Sequence, residues 1–146
     1  MEKIKALFLD RDGVINYDPG YVYRIEDFEF MPGIFEALAG FMALGYEIFI
    51  VTNQSGIGRG YYSEDDFAKL SKYMIDEFKS YGVEIKKIYH CPHTPSDDCN
   101  CRKPKPGMIL QALDEFNISL KDSLMIGDKP SDLESARRDG VESGYL

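Results

Sequence analysis

Ile4-Lys5-Ala6-Leu7-Phe8-Leu9-Asp10-Arg11-Asp12-Gly13 is a short apolar run that ends in two carboxylates two residues apart. The run reads as a buried strand. In an extended segment, residues i and i+2 project to the same side, so Asp10 and Asp12 share a face. Two carboxylates at the end of an apolar strand are costly unless a cation or a hydrogen-bond network holds them. Taken alone, Asp-x-Asp-Gly also reads as a solvated acidic turn. The rest of the chain must decide between the two.

The strand is followed by alternation. Residues 47–51, 85–89 and 123–126 read as further strands, and 141–146 as a short fifth. Ile34, Leu38, Phe41 and Met42 follow helical spacing after Pro32-Gly33. Ser63 opens a second helix, with Glu64, Asp65 and Asp66 in the first turn, where carboxylates complement the helix dipole. Its apolar positions are Phe67, Leu70, Met74 and Phe78, and Gly82 stops it. Ile109, Leu113 and Phe116 mark a third helix, and Ser131 caps a last one that stops at Gly140. Strands alternating with helices predict an α/β fold with a mainly parallel sheet covered on both faces. Such sheets bind ligands beyond the carboxyl ends of their strands.

Polar constellations stand at those ends. Thr52-Asn53-Gln54-Ser55-Gly56-Ile57-Gly58-Arg59-Gly60 follows the second strand. Its glycines allow close approach of backbone N–H groups to an anion, and Arg59 could clamp a phosphate. A flexible polar loop is the plainer alternative. Cys91-Pro92-His93 and Cys99-Asn100-Cys101 follow the third strand and hold all three cysteines of the chain. Three sulfurs and an imidazole, in two i, i+2 pairs, suit structural tetrahedral zinc with no open position. His90 fits that spacing less well and is read as ending the strand. Arg102 and Lys103 come next, so a metal-pinned loop over residues 91–101 would hold positive charge over the site. Asp128, after the fourth strand, can join Asp10 and Asp12 around a hard cation such as Mg²⁺. Asp132 reads equally well as a helix-capping residue.

Composition sets the frame. The chain has 146 residues, which predicts one domain over 1–146. It is 44% hydrophobic and 29% charged, which excludes a disordered chain. No apolar run approaches the roughly 18–20 residues that cross a bilayer, so no membrane partner is expected. No secretory leader is recognisable, and three is an odd cysteine count, which together point to the reducing cytoplasm. A net charge of −8 argues against nucleic acid as partner. An anionic small molecule would need a local basic site, which Arg59, Arg102, Lys103 and Lys129 could supply. A monomer is the expected state.

In order along the chain, Asp10-x-Asp12, Thr52, Lys103 and Gly127-Asp128-x-x-x-Asp132 resemble the four motifs of the haloacid dehalogenase superfamily of phosphotransferases. A receiver domain uses similar parts, but its phosphoacceptor lies on a middle strand and its lysine comes last. Within the superfamily, the chain looks like the heptose 1,7-bisphosphate phosphatases. Phe8-Leu9-Asp10-Arg11-Asp12-Gly13, Gly20-Tyr21-Val22, Phe28-Glu29-Phe30, Thr52-Asn53-Gln54-Ser55-Gly56-Ile57, Arg59-Gly60, Cys91-Pro92-His93 and Cys101-Arg102-Lys103-Pro104 carry that likeness. The histidinol-phosphate phosphatases share the acid motif and the zinc loop. Ser55, Ile57, Arg59-Gly60 and Lys129 favour the heptose branch, whereas the short stretch between His93 and Cys99 is closer to the histidinol branch.

The resemblance implies a three-layer αβα, Rossmann-like fold without a large cap domain. It implies Asp10 as nucleophile and Asp12 as general acid and base. Mg²⁺ would be held by Asp10, the backbone carbonyl of Asp12, and Asp128. Thr52 and Lys103 would steady the transferring phosphoryl group, and Arg102 would recognise the substrate. Asp18, Tyr21, Asn53, Gln54, Ser55 and Lys129 match substrate-contacting positions, with Arg59 in the same loop. The implied substrate is a small sugar phosphate, a heptose 1,7-bisphosphate losing its 7-phosphate on the route to a lipopolysaccharide core or another glycan. Histidinol phosphate is the alternative substrate. A zinc-stabilised binding module that kept the fold and lost the chemistry is the alternative from another class.

Overall fold

A computed structural model describes residues 3–103 and 105–127, and the backbone of 142–145. Five strands form one parallel sheet: β1 (Lys5–Leu9), β2 (Tyr46–Asn53), β3 (Ile85–Cys91), β4 (Leu124–Gly127) and β5 (Glu142–Tyr145). Their spatial order is β3-β2-β1-β4-β5, and every pairing is parallel. The first strand of the chain is therefore the middle of the sheet. Its last residue, Leu9, pairs with Ile50 of β2 and Ile126 of β4.

Strands buried on both faces need apolar residues at successive positions. Here β1 and β2 divide their side chains by alternation. Leu7, Leu9, Ile48 and Ile50 belong to one core cluster, under α1 (Ile34–Ala43) and α3 (Glu64–Ser80). Ala6, Phe8, Phe49 and Val51 belong to the other, under α4 (Gly107–Glu115). Helix–sheet–helix layering follows directly from that division.

Local signals set the helix limits. Ser63 Oγ accepts the Asp66 N–H at 3.0 Å and Asp66 Oδ2 accepts the Ser63 N–H at 2.9 Å, a reciprocal capping box. At the other end of α3, Gly82 takes φ +78°, a left-handed conformation that favours glycine. Phe67, Leu70, Met74 and Phe78 are all buried, as the spacing predicts.

Two features differ from the sequence reading. Strands β2 and β3 run two residues further than their apolar stretches. Thr52 pairs with His90 and Asn53 with Cys91, so polar side chains are carried on rigid strand rather than loop. His90 thus lies inside β3, and Cys91 ends it. Residues 55–58 form a short helix, α2 (Ser55–Gly58), not a flexible loop. Its glycines serve close packing. A Cβ on Gly56 would overlap the Tyr62 ring, and one on Gly58 would lie 2.6 Å from the Pro92 carbonyl oxygen. The expected helix at 131–140, with Asp128, Lys129 and Asp132, lies outside the described residues.

Candidate active site

Asp10 follows directly on the middle strand and is 5% exposed. Its Oδ1 accepts the Arg11 N–H at 2.8 Å and lies 3.2 Å from Lys103 Nζ. Lys103, 4% exposed, also donates to the Val51 carbonyl at 3.0 Å. A carboxylate out of water is tolerable beside a buried cation with a second acceptor. The chain thus buries a carboxylate oxygen next to a lysine ammonium group.

Asp12 has a different environment. Its Oδ1 accepts from Arg11 Nε at 3.2 Å, Arg11 Nη2 at 2.9 Å and Asn16 Nδ2 at 3.0 Å. Its Oδ2 accepts from Gln54 Nε2 alone among the described residues, at 2.9 Å. One oxygen is saturated by a guanidinium and an amide. The other accepts from one amide and retains acceptor capacity. Arg11, 1% exposed, makes this possible by a turn in which its carbonyl accepts from Val14, Ile15 and Asn16. Its Nη2 also donates to the Val22 carbonyl at 2.9 Å.

The amides of Asn53 and Gln54 are committed to the protein. Asn53 Oδ1 accepts the Lys103 N–H at 3.0 Å, and its Nδ2 donates to the Lys103 carbonyl at 3.4 Å. Gln54, 3% exposed, donates to Asp12 Oδ2 and, at 2.9 Å, to Thr52 Oγ1. Its Oε1 accepts the Tyr62 hydroxyl. Burial pushes the Tyr62 hydroxyl up to about 12, so it stays a donor across the neutral range. Of the other sequence-selected residues, Ser55 Oγ meets the exposed Arg59 Nε at 3.5 Å. Asp18 caps a turn through the Gly20 N–H at 3.1 Å. Tyr21, with φ +52°, rests against α2 and meets Tyr61 edge-on with ring centroids 4.8 Å apart. Arg102 Nη1 is buried with no hydrogen-bond partner among the described residues.

Cys91, His93, Cys99 and Cys101 offer ligand atoms that all lie within 4.8 Å of one another. His93 Nδ1 is 3.4 Å from Cys91 Sγ and 3.3 Å from Cys101 Sγ, and Cys91 Sγ is 3.7 Å from Cys99 Sγ. Tetrahedral zinc with bonds of about 2.3 Å to sulfur and 2.0 Å to nitrogen implies edges of roughly 3.5–3.8 Å. The Cys91 and Cys101 sulfurs differ from that pattern, standing closer to each other than two zinc ligands would. The donor set nevertheless fits a soft tetrahedral ion. The loop is tied down by Gly58 N–H to Pro92 O at 2.8 Å and by Gly107 N–H to Asn100 O at 2.9 Å. Lys103 follows it by two residues.

Sequence reasoning missed Arg11, Asn16 and Tyr62. Arg11 stood between the two carboxylates, and a cation in that position was a usable signal. Asn16 and Tyr62 act through tertiary contacts that no local pattern announces.

A family model for the haloacid dehalogenase-like hydrolases matches residues 3–140. The chain belongs to that family. Among curated haloacid dehalogenase-like relatives, it is 59% identical over 133 residues to D-glycero-alpha-D-manno-heptose-1,7-bisphosphate 7-phosphatase of Campylobacter jejuni. That match covers 91% of this chain and 76% of the relative. It is 51% identical over 147 residues to D-glycero-beta-D-manno-heptose-1,7-bisphosphate 7-phosphatase of Helicobacter pylori, covering 100% and 85%. The crystal structure of D,D-heptose 1,7-bisphosphate phosphatase from B. bronchiseptica, complexed with magnesium and phosphate, superposes with a TM-score of 0.90. It is 31% identical, with 96% of this chain and 79% of that one covered. Among the described residues, no helix is long and apolar enough to cross a membrane.

Proposed function

We propose that this haloacid dehalogenase-like hydrolase removes the 7-phosphate of a D-glycero-D-manno-heptose 1,7-bisphosphate. The observation that carries the chemistry is the buried Asp10 carboxylate beside Lys103 Nζ, with an Asp12 oxygen two residues on that accepts from Gln54. The names of the relatives favour the heptose bisphosphate over histidinol phosphate.

An Asp10 oxygen attacks phosphorus, and the bond from phosphorus to the sugar oxygen breaks. Asp12 Oδ2 gives its proton to that leaving oxygen, then takes one from the water that attacks the aspartyl-phosphate. The bond from phosphorus to Asp10 breaks, and inorganic phosphate departs. Thr52 Oγ1 and Lys103 Nζ donate to the equatorial oxygens, where transition-state charge accumulates. The unpartnered Arg102 donor suits the second phosphate of the substrate. Asp18, Tyr21, Ser55, Arg59 and Lys129 complete the proposed sugar side, Lys129 lying outside the described residues.

Hard oxygen donors at the end of β1 fit Mg²⁺. Asp10, the main-chain carbonyl of Asp12, and Asp128 (outside the described residues) would hold it. Bound Mg²⁺ supplies positive charge that offsets carboxylate–phosphate repulsion. The sulfur and imidazole donors of residues 91–101 fit structural zinc, with Cys91 and Cys101 then present as thiolates.

The test is phosphate release from heptose 1,7-bisphosphate and from histidinol phosphate with Mg²⁺. Release from the bisphosphate, at its 7-position, and none by Asp10→Asn is the expected result. Preference for histidinol phosphate would overturn the substrate, and turnover by Asp10→Asn would overturn the nucleophile.

A further inference from the structure

Gln54 faces three partners at once, and the orientation of its amide decides what each can do. With Nε2 towards Asp12 and Thr52, it donates to Asp12 Oδ2 and Thr52 Oγ1, each at 2.9 Å. A threonine hydroxyl that accepts from Gln54 is left with its own O–H to donate elsewhere. Rotating the amide by half a turn would present Oε1 to both. It would then compete for the Thr52 O–H and set two oxygens against each other at Asp12.

We infer that Tyr62 is a positioning residue for the phosphoryl-transfer step: its hydroxyl, by donating to Gln54 Oε1, locks the amide so that Thr52 donates outward and Asp12 is held ready. This rests on the roles proposed above for Thr52 and Asp12. Gln54 Oε1 is the acceptor that the buried Tyr62 hydroxyl finds. An amide turned the other way would leave a buried O–H without an acceptor, a costly state. The ring itself is fixed independently of its hydroxyl. It stacks on Tyr23 with centroids 5.2 Å apart and planes 7° from parallel, and it packs on the bare Gly56 backbone. Ring, amide, hydroxyl and carboxylate form one relay from α2 to the reacting face. The Tyr62 hydroxyl donates to Gln54 Oε1, and its action is through that amide.

Tyr62→Phe removes only the oxygen and keeps both ring contacts. The expected result, with heptose bisphosphate and Mg²⁺, is a fall in kcat of about tenfold, with KM within about twofold and the melting temperature lowered by only a few degrees, as one buried acceptor loses its donor. Gln54→Leu should lower kcat at least as far. The double variant Tyr62→Phe/Gln54→Leu should be no slower than Gln54→Leu alone, because the hydroxyl acts only through the amide. A raised KM with intact kcat would mean a substrate-contacting tyrosine and overturn the inference. So would unchanged kinetics in Tyr62→Phe, or losses that multiply in the double variant. Asp12→Asn and Thr52→Val separate the two levels. If both keep full turnover, the underlying roles fail. If both are crippled while Tyr62→Phe is unaffected, only the inference about Tyr62 fails.

Discussion

The side-chain amide of Asn53 brackets the main chain of Lys103, accepting its N–H at 3.0 Å and donating to its carbonyl at 3.4 Å. The two residues are 50 positions apart, one at the end of β2 and the other beyond the cysteine loop. The bracket aims a buried ammonium group at Asp10 from a segment with no regular structure of its own. Preorganised charge of this kind acts without reorganising during the reaction.

Removing the bracket should therefore affect rate before stability. Asn53→Ala is expected to lower kcat by roughly tenfold to a hundredfold, as a loosened Lys103 no longer meets the developing charge. Steady-state kinetics of the purified variant, beside its thermal melt, checks this. Wild-type kcat in a folded Asn53→Ala would show that the loop alone positions Lys103.

The lysine itself is a sharper test. Lys103→Met keeps the stem and deletes the charge, which leaves the Asp10 carboxylate buried without its cation. Turnover should fall by about 10²–10³-fold. Mass spectrometry of quenched reactions should find less phosphoryl-enzyme than in the wild type. A variant that still turned over at the normal rate would remove Lys103 from the mechanism.

The cysteine loop should carry about one zinc per chain when protein is purified under reducing conditions without chelator. Elemental analysis reads this directly. Cys99→Ser should lower the zinc content and the melting temperature together. Metal-free protein with an unaltered melt would contradict the structural role.

Gly107 opens α4 against the loop, and a Cβ there would overlap the Asn100 carbonyl. Backbone meets backbone at this point, so no side chain can swing aside. Gly107→Ala is expected to cost about 1–3 kcal/mol. Urea denaturation against Gly40→Ala, where a Cβ meets open space, supplies the control.

Acid should loosen α3 at its start. The Ser63 N–H, first, and then the Ser63 hydroxyl hold the Asp66 carboxyl below its ordinary value. A carboxyl lowered in the folded state contributes stability above its unfolded pKa of about 4, and loses it as pH falls through the folded value. Amide exchange at the first turn of α3 should quicken in that acid window. Ser63→Ala should weaken the helix start at neutral pH by about 1 kcal/mol but keep most of the acid response, since its backbone N–H still reaches Asp66; Asp66→Asn should abolish that response.

Much of this was legible in the chain because apolar runs stopped at polar ones. The end of β1 was visible as an abrupt change of chemistry, and the helical faces of α1, α3 and α4 as periodic apolar positions. The length of β2 was not visible, since Thr52 and Asn53 look like loop until β3 is seen to pair with them. The glycines of α2 read as freedom, yet two of them answer crowding from Tyr62 and Pro92. Asn53 and Gln54 read as ligand contacts because their amides are polar and well placed. Only the packing reveals that the protein itself uses those amides. Asp128, Lys129 and Asp132 lie outside the described residues, so that side of the site rests on the sequence.

The order of the sheet has a consequence for synthesis. The strand made first lies in the middle, and its second edge is not covered until residues 124–127 exist. A nascent chain halted before that point presents Leu7, Phe8 and Leu9 as a bare parallel edge, a template for pairing with other unfinished chains. Premature termination before residue 124 should thus yield aggregates and proteolytic fragments, not a slower enzyme.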